Sequence, residues 1–180
     1  MKKIFLGLLV FLALSVNTAS AELSLLGVIP NTEWNLYADL DAKACVITAS
    51  YESETSILIQ NNGGNYSVVF VNNNWELGNK KINVGVVFDN KKVWNAEFIT
   101  NKNMIFVDNV KAEFITDVSR AQVMELYTPE RRRIVGFNLT GTTIAIKALG
   151  NCAEKIKQPV VNPKNPFIDT NPNSPKPFGE

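Results

Sequence analysis

Histidine is absent from the 180-residue sequence. This absence excludes Ser-His-Asp and Cys-His catalytic centres, histidine-ligated zinc sites and the side chain that most often changes charge near neutral pH. A phosphate-binding loop is also missing, because Gly141-Thr142-Thr143 lacks the Gly-Lys-Ser/Thr ending that holds phosphate and magnesium. We therefore expect no catalytic residue, no metal site and no cofactor.

Cysteine is scarce: only Cys45 and Cys152 are present. A redox-active pair would need thiols close together in sequence or in an activating environment, and the chain has no Cys-x-x-Cys motif. In an oxidising compartment, two otherwise unpaired thiols in one domain are expected to join. The sequence therefore predicts a structural disulfide between Cys45 and Cys152.

Charge of one sign is not in excess, since 18 basic residues face 17 acidic ones. Without Lys2 and Lys3, sixteen basic residues remain and the net charge becomes −1. A nucleic-acid-binding domain needs a basic patch that neutralises phosphates. We therefore expect no nucleic-acid partner.

The N-terminus has the pattern of a secretory signal peptide. Lys2 and Lys3 precede an apolar run, Ile4 to Val16, and Ala19-Ser20-Ala21 supplies a small-x-small cleavage site. The run would span about 20 Å as a helix, against roughly 30 Å of membrane hydrocarbon. We predict a signal peptide over 1–21, no transmembrane segment in the mature chain, and a periplasmic or secreted location.

The remaining sequence divides into two parts. Residues 22–158 carry aliphatic and aromatic side chains throughout and are predicted to form a single β-rich domain. From Pro159 onward, prolines recur among Asn, Lys and Asp, with few side chains that a core could bury. Residues 159–180 are predicted to be a disordered proline-rich tail.

A period of two dominates from Trp34 to Thr116, as in half-buried strands. Ile82, Val84, Val86 and Phe88 share one face, and similar alternation occurs in Cys45 to Tyr51, Tyr66 to Val71, Trp94 to Ile99 and Met104 to Val107. The breaks are rich in Asn, Gly, Asp and Lys, which favour hairpin turns. The predicted fold class is mainly β, an antiparallel meander forming a sandwich or open barrel, with α+β as the second choice.

One short helix and one C-terminal helix complete the prediction. Asp117 could cap the short helix, Val118 to Tyr127, with Val123, Met124 and Tyr127 inward, before Pro129 blocks its continuation. A strand from Arg133 to Leu139 follows. The C-terminal helix, Thr143 to Lys157, would bury a stripe consisting of Ala145, Leu149, Cys152 and Ile156.

Two groups of side chains are candidates for a binding surface. The aromatic group could stack on a sugar or peptide, or could instead fill the core; it consists of Trp34, Trp75, Trp94, Tyr37, Tyr51 and Tyr66. Trp75 follows an Asn triplet, and of the three tryptophans it is the one for which exposure is most expected. Arg131, Arg132 and Arg133 could hold an anionic glycan, a lipid headgroup or an acidic partner, or could simply keep a sheet edge from pairing.

The segment from Phe137 to Cys152 has the pattern F-x-L-x-G-[ST]-x-x-A-[IL]-x-x-L-x-x-C. It resembles the closing pattern of small exported proteins of Gram-negative, especially alphaproteobacterial, bacteria. Those proteins also have an earlier cysteine and an aspartate after an apolar strand, as in Phe88-Asp89 here. The invasion-associated locus B proteins are a more distant resemblance. The resemblance implies a fold and an export route, and no active-site residues.

We therefore expect an exported, non-enzymatic envelope protein that binds an envelope or host macromolecule through an exposed sheet face or loop. One alternative is a hydrolase of cell-wall glycans using two carboxylates, for which Glu97, Asp108 and Glu113 are candidates. Two acids within about 10 Å of each other in a cleft would support it. Another alternative is a lipid or small-ligand carrier, which requires an open apolar cavity.

Overall fold

The computed structural model describes residues 23–51 and 53–157, so the predicted signal peptide and proline-rich tail lie outside the described residues. These residues form ten strands and two helices: β1 Ser24–Val28, β2 Asn35–Asp39, β3 Ala44–Ser50, β4 Thr55–Asn62, β5 Asn65–Asn72, β6 Lys80–Phe88, β7 Lys92–Asn101, β8 Met104–Val110, α1 Ala112–Arg120, β9 Val123–Tyr127, β10 Arg133–Asn138 and α2 Thr142–Lys157. Neither helix is long and apolar enough to cross a membrane.

All ten strands belong to one antiparallel sheet, in the order β1-β2-β3-β4-β5-β8-β7-β6-β9-β10. The predicted mainly β class is confirmed. Alternation is regular in β6, where Val84, Val86 and Phe88 are buried and the residues between them are not. The turns predicted after β4, β6 and β7 are hairpin turns, because each joins two strands that pair with one another.

The predicted uninterrupted meander is wrong at Asn72 to Asn74. There the chain leaves β5 and crosses to β6, and β5 pairs with β8 instead. Asn72 holds the crossing: its backbone N–H donates to the carbonyl oxygen of Asn103, and its side-chain amide donates to Thr55 Oγ1. The polar residues that indicate a break do not indicate which strand will be the neighbour. The result is a Greek key, in which the connection runs from β5 to β6 and β5 pairs with β8.

The sheet is strongly curled, so that distant strands meet in one core. Phe70 on β5 and Phe137 on β10 are five strand positions apart, about 24 Å in a flat sheet. Their ring centroids nevertheless lie 5.3 Å apart. Thr32, before β2, packs against Gly141, after β10. The two ends of the strand order therefore approach each other around the core.

The short helix differs from its prediction. Residues Ala112–Arg120 form α1, which buries Phe114, Ile115 and Val118, whereas Asp117 lies inside the helix and does not cap it. Val123–Tyr127 forms β9, with Met124 and Leu126 in the core and Val123 exposed. The alternation from Val123 to Leu126 has a period of two, and pairing with both β6 and β10 makes the segment a strand.

The C-terminal helix and the disulfide agree with the predictions. Ala145, Leu149 and Cys152 are buried on α2 and Ile156 is partly buried against the core. A disulfide joins Cys152 to Cys45 on β3. Cys45 is fully buried, so the bond attaches the buried face of α2 to the inner face of the sheet.

The side chain of Asp117 connects α1 to β7 through hydrogen bonds. Its Oδ2 accepts hydrogen bonds from the indole Nε1 of Trp94, at 2.7 Å, and from Lys92 Nζ, at 2.6 Å. Burial acts to raise the pKa of Asp117, but the hydrogen bonds from Lys92 and Trp94 and the nearby positive charges outweigh it, so the pKa is lowered. The carboxylate form is therefore the one that stabilises the fold.

We expect Asp117→Asn to lower the free energy of unfolding by about 1 to 2 kcal/mol at pH 7, because charged hydrogen bonds are lost. Since the folded-state pKa is lowered, this contribution is present above the unfolded pKa of about 3.9 and is lost as the pH falls through the folded pKa. Urea unfolding at pH 7 and near pH 2.5 measures both limits. Asp108→Asn, at an exposed position of β8, is the control. An equal loss at both pH values would contradict this assignment.

Candidate binding groove

An open groove of about 720 Å³ lies on the outer face of the sheet, across β7 and β6 and beneath the β9–β10 turn. Its lining combines amide, carboxylate, phenol and guanidinium groups with valine and proline; the residues are Asn83, Val84, Gly85, Val87, Val93, Asn95, Ala96, Glu97, Tyr127, Thr128, Pro129 and Arg131. Three other pockets in the described residues, of about 300, 380 and 220 Å³, are smaller than this groove.

Gly85 lies in the middle of the groove and in the middle of β6. Its backbone does not require glycine, since its φ lies outside the left-handed region. An added Cβ would meet Asn95 Oδ1 at 3.6 Å and Tyr127 Cβ at 3.7 Å, which are ordinary contacts. Glycine weakens a strand interior, and there it often marks a place where another group approaches the backbone closely. Gly85 therefore gives the groove its depth.

The groove changes in polarity along its length. At one end Val87 lies opposite Val93, and the middle places Gly85 opposite Asn95. At the other end Asn83 lies opposite Glu97. Four residues of a strand cover about 13 Å, so the groove is elongated along β6. A ligand would meet an apolar end, an amide at the centre and charged groups at the far end.

A chain of hydrogen bonds fixes the wall formed by β9. The hydroxyl of Tyr127 donates to Glu125 Oε2 at 2.9 Å, and Glu125 Oε1 forms an ion pair with Arg133 Nε at 2.6 Å. The hydrogen bond to Glu125, together with desolvation and the charge of that carboxylate, raises the pKa of Tyr127. The phenol therefore stays protonated and its ring is held in place beside Gly85.

The side chain of Arg133 makes its contacts outside the groove. Its guanidinium lies over Gly136 on β10, where an added Cβ would be 2.1 Å from Nη2. Glycine at this position leaves room for the guanidinium to reach Glu125, which is only 15% exposed. Arg133 thus acts as a support for Glu125 and Tyr127, although the sequence places it together with Arg131 and Arg132 as one candidate surface.

Arg131 lies at the charged end of the groove, whereas Arg132 is outside its lining. Both side chains are exposed. The turn that presents them is fixed by two backbone hydrogen bonds, from Thr128 N–H to the Arg132 carbonyl and from Arg131 N–H to the Thr128 carbonyl, each 2.9 Å long. Within the described residues neither arginine takes part in an ion pair.

Trp75 is not part of the groove lining. It is half-buried in the connection between β5 and β6 and packs against the core. This connection passes the β7–β8 turn, since Leu77 N–H donates to the carbonyl of Lys102. Trp75 is therefore held by the crossing chain and is separate from Arg131.

The three tryptophans occupy three different places and form no shared aromatic platform. Trp34 is only 1% exposed and belongs to the core. Trp94 faces inward with Ala96 and Phe98, as its parity predicts, and its ring centroid is 5.6 Å from that of Phe114 on α1. Tyr127 is the aromatic residue that the structure places in the groove.

The groove contains one carboxylate, Glu97, whose Oε1 is 2.7 Å from Lys81 Nζ. Asp108 and Glu113 are exposed on β8 and at the start of α1, and neither lines this groove. The pair of acids that the hydrolase hypothesis requires is therefore not found together here. Within the described chain, no three His, Cys, Asp or Glu side chains form a possible metal site.

A separate cavity of about 220 Å³ lies between α1, β7 and β8. Strands β7 and β8 pair only over Ile99 to Asn101 and Met104 to Phe106, and α1 covers the place where they diverge. The cavity is lined largely by apolar groups, including Trp94, Phe98, Val107, Val110 and Phe114. A pocket of this size lies below the usual range of 300 to 1,000 Å³ for small-molecule sites.

Comparison of the chain with protein-family models, with curated proteins and with solved structures found no match. No residue role can therefore be transferred to the groove from a relative. The resemblance of the C-terminal pattern to small exported proteins stays a prediction.

Proposed function

We propose that the protein is an exported, non-enzymatic binding module whose outer groove holds a polar macromolecule of the bacterial envelope. The observation that carries the proposal is Gly85. This position of a central strand has no side chain, although its backbone conformation and its neighbours would accommodate one. The space that a side chain would fill is bordered by Asn95 and Tyr127. A binding function explains why that space is kept.

The groove suits recognition by side chains. Strand β6 is paired with β7 along its whole length and with β9 over Gly85 to Phe88, so from Gly85 to Phe88 its backbone N–H and C=O groups are already used. Over that stretch a peptide cannot be bound by strand addition, which needs a free sheet edge. The available recognition groups are side chains that point outward, with Asn83 and Asn95 as amide donors and acceptors.

Two features that are typical of exported proteins support a location in the bacterial envelope. The N-terminal pattern predicts a signal peptide, and the Cys45–Cys152 disulfide is a bond that persists in an oxidising compartment. We propose a periplasmic or secreted location.

We expect Gly85→Val to abolish binding while leaving the fold intact. The new Cβ makes ordinary contacts, valine favours a strand, and its methyl groups project into the groove. Retention of the mature protein should be measured on immobilised peptidoglycan sacculi, lipopolysaccharide and outer-membrane protein extract from a Gram-negative bacterium. Wild type should be retained by at least one material, and the variant at least about tenfold more weakly.

Ser67→Val is the matched control, because it places the same side chain on β5, three strand positions from β6. It should bind like wild type. Thermal unfolding should show midpoints within a few degrees of wild type for both variants. Retention of Gly85→Val equal to wild type would reject the groove, and no retention of wild type on any material would reject the proposed function.

A further inference from the structure

We infer that the ligand of this groove is a glycan chain carrying carboxylate groups, with Arg131 binding a sugar carboxylate. This inference rests on the proposed binding function and names its ligand class. Two features of the groove lead to it: the unequal roles of the three arginines and the change in polarity of the lining residues along β6.

The cationic charge available to a ligand comes from Arg131. Arg133 is bound to Glu125, and Arg132 lies outside the groove lining. Glu97 is offset by Lys81, whose pKa is raised by the hydrogen bond between them. Among the groove-lining residues together with Lys81, the charged end therefore has one guanidinium in excess. A guanidinium binds a carboxylate through two parallel hydrogen bonds.

The strand register places Arg131, Asn83 and Glu97 at the same end of the groove. Gly85 lies opposite Tyr127 on β9, and antiparallel pairing continues the chain from Tyr127 toward the side of Asn83. The turn bearing Arg131 thus overhangs the end of the groove where Asn83 and Glu97 lie. Val87 and Val93 are at the opposite end. An anionic group would bind beside Arg131 while less polar parts of the ligand lie toward the valines.

A sugar chain matches the alternation of polar and apolar groups. Each ring has hydroxyls at its edge, which the amides of Asn83 and Asn95 can both donate to and accept from, and an apolar face that can lie on an aromatic ring. The hydrogen bond to Glu125 already holds the ring of Tyr127 in place, so placing a ligand on this ring would cost little conformational entropy. Strand addition by a peptide is prevented from Gly85 to Phe88, where β6 is paired with both β7 and β9.

An acyl chain is a poorer match to the apolar end. Val93 is 58% exposed, so a hydrocarbon chain lying there would stay in contact with water. The hydrophobic contribution to binding grows with the apolar area that is removed from water. A hydrocarbon chain lying on this open surface would lose little of its contact with water. A hydrated glycan chain with short apolar faces does not depend on such burial and therefore fits the same surface better.

The experiment measures binding of the mature protein to a set of soluble polymers by isothermal titration calorimetry. The carboxylate glycans are polygalacturonate, alginate and hyaluronan, the neutral glycans are galactan and dextran, and poly-L-glutamate supplies carboxylates without sugars. We expect binding to at least one carboxylate glycan, at least about tenfold tighter than to the neutral glycans and to poly-L-glutamate.

Arg131→Gln and Arg132→Gln form a matched pair, since each removes one positive charge from the same exposed turn. Arg131→Gln should weaken binding of the carboxylate glycan by about tenfold or more, and Arg132→Gln by about twofold or less. Gly85→Val should abolish binding. Equal losses in the two arginine variants would show attraction to net charge alone and would overturn the inference.

Other results separate the inference from the proposed function. Binding of neutral glycans as tightly as acidic ones, tight binding of poly-L-glutamate, or no binding of any glycan would overturn the assigned ligand class. The proposed function would still stand if Gly85→Val removed retention on an envelope material. If the glycan bound equally to wild type and Gly85→Val, the groove would be rejected and both proposals would fail together.

Discussion

Replacing Cys45 and Cys152 together by alanine should lower the free energy of unfolding by about 4 kcal/mol and the thermal midpoint by roughly 10 to 15 °C. The two residues are 107 positions apart, and the bond between them limits the unfolded chain over most of the described domain. In the chain-entropy account, closing so long a loop removes many unfolded conformations. Alanine is preferred to serine because both positions are buried, where an unpaired hydroxyl would add its own cost.

Denaturant unfolding of the double variant and of wild type, with and without reductant, measures this effect. The single variants Cys45→Ala and Cys152→Ala should each lose about as much as the double variant, because either one removes the bond. Unreduced wild type should show no reactive thiol in denaturant. Two reactive thiols would contradict the disulfide, and a loss below about 1 kcal/mol would show that the loop contributes little to stability.

The sequence predicts the local elements whose side-chain pattern is regular. Val84, Val86 and Phe88 alternate in β6, and Ala145, Leu149 and Cys152 recur at helical spacing in α2, so burial on one face identifies both elements. Pairing between distant strands is not a local property. The alternation in β5 and β8 is present in the sequence, but their pairing depends on a crossing held by Asn72, for which no periodic signal exists.

Among the elements that the prediction missed or displaced, β1 and α1 have physical reasons that can be named. In β1, Leu25 and Leu26 are 58% and 56% exposed at the edge of the sheet, and a register shift between Leu25 and Gly27 interrupts the alternation. In α1, Phe114, Ile115 and Val118 have helical spacing, but the prediction began the helix only at Val118. Asp117 resembled an N-cap and instead binds Trp94 and Lys92 from within the helix.

The groove could be predicted only in part. The arginine run drew attention to Arg131, but the sequence cannot separate it from Arg133, since the ion pair with Glu125 exists only once β9 and β10 pair. Gly85 is hidden because it occupies an outward position in a regular strand pattern. Tyr127 was assigned to the inner face of a helix, and its place on the outer face of β9 follows from the strand register.

Phe137→Ala should lower the free energy of unfolding by about 3 to 5 kcal/mol, the usual range for removing a buried aromatic side chain. Phe137 is 1% exposed, and its ring lies 5.3 Å from Phe70 and 5.3 Å from Tyr51. It joins β10 to strands near the other end of the strand order. The cavity left by alanine would therefore separate parts of the sheet that no direct strand pairing connects.

Tyr51 reports on the same contact. Its hydroxyl donates to the carbonyl of Asn138 at 2.7 Å, and burial, together with the charge of Glu33, raises its pKa to about 12. In Phe137→Ala the phenol should become more exposed, and its pKa should move toward 10 in a spectrophotometric titration. Since the folded-state pKa is raised, this contribution to stability is present below pH 10 and is lost as the pH rises toward 12.

Phe106→Ala is the matched control, because Phe106 is a partly exposed phenylalanine on β8 and its removal leaves no enclosed cavity. It should cost less than half as much as Phe137→Ala and leave the Tyr51 titration unchanged. Phe137→Leu, which keeps most of the volume, should cost about 1.5 kcal/mol or less. If Phe137→Ala and Phe106→Ala had equal effects, Phe137 would contribute only its own buried area, and the curled sheet would not depend on the contact between β10 and β5.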